Sequence, residues 1–182
     1  MKLFLPLITL SVFSFTVIPH CKENSNSEPE VEVVSKSPPK DFKLQFSDYR
    51  KMAEQGDAQA QYDLGKMYYN GKGVKKSNRE AFSWRVKSAE QGHADAQYQV
   101  GWMYFWGEGV EKNWKEAFHW SKKSADQGNI GAQRNLGRMY VEGKGTPKEI
   151  EKGLYWIKKA KEGGDEGAIK YWKKKKLSMY EE

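Results

Sequence analysis

The sequence contains a single cysteine, Cys21, and this alone excludes an intramolecular disulfide framework and any Cys-x-x-Cys metal site. Histidine is nearly as scarce. His20, His93 and His119 are scattered along the chain without a matching carboxylate pair, so no metal centre is expected. No Ser or Cys has a local setting that would make it a nucleophile, and no catalytic residue or cofactor is expected. "GKGVKKS" and "GKGTPKE" lack the GxxxxGK[ST] spacing and no strand precedes them, so both read as interhelix turns rather than phosphate loops. Only six prolines occur among abundant Lys, Glu, Ala and Gln, which tilts the body of the chain towards helix. The formal charge is +7, but 31 basic residues are interspersed with 24 acidic ones. That pattern describes a solvated surface better than a nucleic-acid footprint. With 182 residues there is room for one modest domain.

The first residues read as a targeting segment. Residues 1–20 carry Lys2 and then run apolar from Leu3 to Ile18, shorter than a comfortable span of about 20 residues. No alanine precedes Ala53, so the Ala-x-Ala pattern of an ordinary signal cleavage site is missing. Cys21 stands instead at the end of the apolar run. This layout resembles a bacterial lipoprotein signal, in which the cysteine thiolate takes a diacylglycerol and becomes the first residue of the mature protein. Ile18, Pro19 and His20 depart from the small residues usual before that cysteine, which leaves a cleaved secreted form and an uncleaved anchor as the other outcomes. Residues 22–44, polar and with Pro29, Pro38 and Pro39, read as a disordered tether. The protein is therefore expected at the cell envelope, in the periplasm or at the outer membrane, held by a lipid on Cys21. Export also makes nucleic acid a poor partner.

Beyond the tether one phrase recurs: "QYDLGKMYYNGKGV" from 61, "QYQVGWMYFWGEGV" from 97 and "QRNLGRMYVEGKGT" from 133, 36 residues apart. A fixed period of this size signals stacked helix pairs, here units 53–88, 89–124 and 125–160 within a repeat domain at 45–176. In each unit Ala60, Leu64, Gly65 and Tyr68, or their counterparts, share one helical face. Asp57 and Asn129 suit an N-cap. Glycine pairs such as Gly71 and Gly73 then stop the first helix. Ser77 with Glu80, and Asn113 with Glu116, have capping-box spacing at the start of the second helix. Glu149 with Lys152 does not, so the third pair is expected to start less sharply. Each second helix closes on a glycine: Gly92, Gly128 and Gly164, with Gly56 closing the half-repeat 46–56. One such hairpin cannot bury its own apolar face, so neighbours must cover it. The segments 46–56 and 165–176 match a second and a first helix respectively and read as half-repeat caps.

The pattern A-x-A-Q-x-x-L-G-x-x-Y-x-x-G-x-G-V stands here as "AQAQYDLGKMYYNGKGV", "ADAQYQVGWMYFWGEGV" and "IGAQRNLGRMYVEGKGT". With the closing segments "AFSWRVKSAEQG", "AFHWSKKSADQG" and "GLYWIKKAKEGG", it resembles the Sel1-like repeat family, relatives of tetratricopeptide repeats. The resemblance covers about 46–172. It implies an all-α fold, an α/α superhelical solenoid, working as a non-catalytic adaptor that binds other proteins, often in the bacterial envelope. Ile130-Gly131, Thr146-Pro147 and Gly153 depart from the pattern, so the third repeat is expected to be the loosest.

In such a superhelix the first helix of each pair lines the concave face, and three rows of its outward positions vary. They read Tyr62, Tyr98, Arg134, Lys170; then Lys66, Trp102, Arg138, Lys174; then Tyr69, Phe105, Val141. Trp106 adds a ring beside the turn. Aromatic anchors next to cations are what a peptide groove uses, so Tyr62, Lys66, Tyr69, Tyr98, Trp102, Phe105, Trp106, Arg134, Arg138, Lys170 and Lys174 are the expected groove. The partner would be a protein segment with apolar and acidic residues. In the plainer reading, Trp102 and Phe105 only fill gaps between repeats. The run Lys173–Lys176, with Lys158, Lys159 and Lys170, offers a second surface for a carbohydrate or anionic headgroups, with salt-sensitive binding.

Overall fold

A computed structural model describes residues 41–174, all within one compact unit, Ser37–Glu182. Cys21, the signal segment, most of the expected tether, Lys175 and Lys176 lie outside the described residues. The described residues form eight helices: α1 (Phe42–Glu54), α2 (Ala58–Asn70), α3 (Asn78–Glu90), α4 (Ala94–Trp106), α5 (Trp114–Asp126), α6 (Ile130–Glu142), α7 (Ile150–Glu162) and α8 (Glu166–Lys174). Consecutive helices pack on each other in chain order, giving the expected all-α superhelical repeat fold. Among the described residues no helix is long and apolar enough to cross a membrane.

The helix starts follow their caps. Asp57, Asn129 and His93 each accept a bond from the backbone N–H three residues on, at 2.6, 2.9 and 3.2 Å. His93 does this with Nδ1, an N-cap the sequence did not single out. Ser77 and Asn113 cap α3 and α5 by accepting from the amides of Glu80 and Glu116. Glu149 makes no side-chain cap bond, yet α7 has the same 13 residues as α3 and α5. Its start is therefore set by packing rather than by a cap. Asp41 caps α1 in a way the sequence reading missed, so residues 42–44, expected in the tether, are helical.

The same contacts recur at every storey. Phe46 meets Tyr68 edge to face at 5.4 Å, Phe82 meets Tyr104 at 5.1 Å and Phe118 meets Tyr140 at 5.1 Å. Such pairs contribute about 0.5–1.5 kcal/mol beyond the area they bury. Between storeys runs a buried polar ladder. Gln61 and Gln97 donate to the carbonyls of Ala53 and Ala89. Gln91 and Gln127 then donate to the side-chain oxygens of Gln61 and Gln97 at 2.8 and 2.7 Å. Ser88 and Ser124 donate to the carbonyls of Ala58 and Ala94, both at 2.7 Å. These bonds tie each helix to its neighbours within and between storeys, which fixes the register of the stack.

Two glycine positions set how close the helices come. Gly109 has φ +77° and lies against the preceding repeat, where a Cβ would sit 2.2 Å from the Asn78 carbonyl oxygen. Gly65, Gly101 and Gly137 lie where first and second helices touch. A Cβ on Gly65 would come within 3.1 Å of the Ala81 oxygen, and on Gly101 within 3.2 Å of the Ala117 oxygen. On Gly137 it would come within 2.7 Å of the Gly153 oxygen. The third helix pair is thus the closest of the three, against the expectation that Gly153 would loosen it. Removing the side chain at 153 lets the backbones approach.

Candidate functional site

The three rows of first-helix positions divide by what they touch. Tyr62 stacks on the His93 ring at 4.9 Å, and burial raises its phenol above the ordinary value. Tyr98 packs on Gly131 one storey along, where a Cβ would sit 3.0 Å from Cζ. Arg134 holds Asp165 through Nη1 at 3.0 and 2.9 Å, and Asp165 in turn caps α8 through the Ala168 amide. This row therefore clamps each first helix onto the start of the next. Its last member, Lys170, is exposed and 3.9 Å from Glu166.

The second and third rows border the slots between successive first helices. The floor of each slot is one position of the second helix, and it reads Tyr49, Arg85, Ser121, Ile157 along the chain. Between α2 and α4, Arg85 occupies the slot. It is 4% exposed, its stem lies on Gly65, its Nη1 donates to the Met103 sulfur at 3.4 Å and its guanidinium lies 4.8 Å from the centre of the Tyr69 ring. Burial pulls the Arg85 pKa below the ordinary guanidinium value. Tyr69 closes the rim by donating to Glu108 at 3.0 Å. That bond, with burial, raises its phenol. Between α6 and α8, Ile157 is fully buried, with Val141 and Tyr171 packed against its cluster.

Between α4 and α6 the floor is Ser121, and the slot is open. The result is a narrow cleft lined by Trp102, Phe105 and Trp106 of α4 and by Asn135, Arg138, Met139 and Glu142 of α6. Of the expected groove residues, the fold gathers four here: Trp102, Phe105, Trp106 and Arg138. Trp106 is half exposed, at 51%, and its ring meets those of Trp102 and Phe105 at 5.5 and 5.1 Å. Lys66 and Tyr69 belong to other slots, Lys66 facing a recess between α1 and α2. Lys174 is exposed near the end of α8.

The charges at the cleft are unevenly spent. Glu142 accepts a bond from Lys144 at 2.8 Å and from the Tyr171 hydroxyl at 3.4 Å, with Arg138 Nε at 3.8 Å. Burial by itself would raise this carboxyl, but Lys144, Arg138 and Tyr171 together hold it below the ordinary carboxylate value. Burial, with Glu142 beside it, pushes the Tyr171 phenol up to about 12. At 3.8 Å the Arg138 Nε–H is beyond hydrogen-bond reach, and it is buried without an acceptor. Lys144 Nζ also lies 5.2 and 5.6 Å from the ring centres of Phe105 and Trp114, and Lys112 Nζ lies 4.9 Å from that of Trp114. A band of rings and cations therefore runs from the cleft to exposed Trp114. Sequence reasoning missed Ser121, Glu142, Lys144 and Trp114. Aligning the second-helix positions at the 36-residue period was the signal that would have found Ser121.

The basic end looks different. Lys158, Lys159, Lys170, Lys173 and Lys174 are exposed. Lys159 lies over the Trp156 ring at 5.2 Å, just as Lys87 and Lys123 lie over Trp84 and Trp120. Among the described residues no cluster of three or more His, Cys, Asp or Glu is placed to hold a metal ion.

Comparison with known proteins agrees with this geometry. The Sel1 repeat family model matches residues 58–93, 94–129 and 130–165. The period is the one seen in the sequence, with each unit starting five residues later. A Sel1 repeat protein from Oxalobacter formigenes is 36% identical, with a TM-score of 0.65 over 71% of this chain and 98% of that one. The antigen c5321 of uropathogenic Escherichia coli, a protective antigen displaying an SLR fold, is also 36% identical with a TM-score of 0.65. That match covers 68% of this chain, which spans only 26% of the antigen. Helicobacter pylori cysteine rich protein B shares the fold at 22% identity and a TM-score of 0.56, over 72% of this chain and 95% of that one. No curated protein matches the sequence significantly.

Proposed function

The chain belongs to the Sel1 repeat family, and we propose that it acts as a non-catalytic adaptor whose first-helix face binds a segment of a partner protein at the bacterial cell envelope. Sel1 repeat proteins are generally protein-interaction modules of scaffold type. The observation that supports the site is the cleft between α4 and α6, where three aromatic rings meet Arg138. Rings give a partner large rigid contact area, and an arginine supplies directed donors for a carboxylate. The envelope assignment rests on the apolar segment ending at Cys21, with a lipid on that cysteine as the membrane attachment. Incorporation of labelled palmitate by the wild-type chain, and its loss in Cys21→Ser, tests the attachment.

The partner contact is tested by affinity capture from native envelopes, with bound proteins identified by mass spectrometry. A specific partner held by the wild-type chain should be lost from the double variant Trp102→Ala with Arg138→Glu. An unchanged set of bound proteins would refute the first-helix face as the contact surface. The basic end, Lys158, Lys159, Lys170, Lys173 and Lys174, is the alternative for glycan or anionic surfaces. Salt-sensitive glycan binding lost on removal of residues 170–182 would favour it.

A further inference from the structure

We propose that the slot over Ser121 is a socket for one apolar side chain of the partner, that the partner carries acidic residues beside that side chain, and that Ser121 decides which slot of the solenoid receives it. This deepens the interaction reading and rests on it. Equivalent positions along the chain carry Arg85, Ser121 and Ile157, with the same glycine contact beneath each: Gly65, Gly101 and Gly137. The same glycine position frames each slot and the plug above it changes. Arg85 and Ile157 occupy their slots, while Ser121, 2% exposed at the base of the cleft, leaves the space above it unfilled.

The walls define the occupant. Trp102 and Phe105 on one side and Met139 with the Arg138 stem on the other are apolar, so a leucine or phenylalanine side chain fits their chemistry. The rim defines the flanks. Its carboxylate, Glu142, is already engaged by Lys144 and Tyr171, with Arg138 close by. Lys112, beside Trp114, makes no ion pair among the described residues. A segment with lysines at its flanks would meet Arg138, Lys144 and Lys112. One with glutamates would complement them.

The test uses the full chain and blocked pentapeptides with a central phenylalanine between pairs of glutamates, or the same with a central alanine, or with lysine flanks. Binding is followed through the indole N–H signals of Trp102 and Trp106 in NMR titrations. The glutamate–phenylalanine peptide should shift both signals in the millimolar range or tighter. The alanine peptide should bind at least tenfold more weakly, and the lysine-flanked peptide should not shift the signals at all. Ser121→Ile, which places at this position the residue that the next repeat already buries, should weaken binding at least tenfold while the remaining amide spectrum stays folded. Ser121→Val, a smaller plug, should weaken it less and serves if the isoleucine variant does not fold. Equal binding by wild type and both variants, no shift with any peptide, or shifts only at Trp84 and Trp120 would overturn the proposal. A partner captured by the wild type and by Ser121→Ile, but lost from Trp102→Ala with Arg138→Glu, would sink the socket and leave the interaction reading standing.

Discussion

The slot between the first and second repeats and the slot between the second and third are made of the same positions, yet one is plugged and the other open. Gly65 and Gly101, Met103 and Met139, and Tyr69 and Phe105 are pairwise equivalent across the two. What separates them at the floor is a single side chain, Arg85 in one and Ser121 in the other; at the rim, Lys66 and Trp102 give way to Trp102 and Arg138, and the Tyr69–Glu108 pair to Phe105 and Lys144. A repeat stack can therefore place a binding site by deleting a plug, without altering the helices that frame it. The polar ladder through Gln61, Gln97, Gln91 and Gln127 is blind to this choice, since it runs at the opposite ends of the same helices.

The largest effects should come from breaking the frame common to both slots. Gly109→Ala forces a Cβ into the Asn78 carbonyl at a positive φ, and is expected to cost about 3 kcal/mol. Gly128→Ala, at φ +91° but with no atom near its Cβ, should cost only about 1 kcal/mol. Urea denaturation of the two variants measures the difference, and equal costs would show that the backbone contact at 109 carries no weight.

The next test exchanges the plugs. Arg85→Ser should convert the first slot towards the second and cost about 2–3 kcal/mol through lost packing. Arg85→Met keeps the stem but removes a buried charge whose Nε has no acceptor, and should be neutral or stabilising by about 1 kcal/mol. A large loss in the methionine variant would mean that the charge, not the stem, holds the slot shut.

Smaller changes compare the helices behind the slots. Ser77→Ala removes a cap from α3 and should cost about 1 kcal/mol, whereas Glu149→Ser gives α7 the cap it lacks and should add up to about 1 kcal/mol. Thermal unfolding distinguishes the two signs.

The smallest effect is electrostatic and confined to the open slot. Glu142 has its folded-state pKa lowered, so its contribution to stability is complete above the unfolded carboxylate value and is lost as pH falls through the folded one. Acid titration of stability should therefore be shallower in Glu142→Gln than in wild type below about pH 4.5, the ordinary value. Identical profiles would mean that Lys144, Arg138 and Tyr171 do not favour the charged form.

Much of this fold was legible because a 36-residue period repeats caps, glycines and ring positions together, and each agrees with the others. The start of α7 was not legible, because tertiary packing replaces the missing cap at Glu149. Nor was the tightness of the third helix pair, where Gly153 looked like a defect and acts as a contact point. For the candidate site, reading outward positions of the first helices alone found Trp102, Phe105, Trp106 and Arg138. It also collected Tyr62, Tyr98 and Arg134, whose side chains reach along the stack to the next helix start and not across the face. Ser121 was invisible to that search because a serine on the second helix signals nothing until it is set beside Arg85 and Ile157.

The most direct test of the account places a photoreactive phenylalanine analogue at position 105 and, separately, at position 120, and quantifies partner adducts in native envelopes with Ser121 or with isoleucine there. The open-slot account predicts a discrete adduct from position 105 that falls at least tenfold with isoleucine at 121, and no specific adduct from position 120. An adduct from position 105 that persists undiminished when the slot is filled would contradict it.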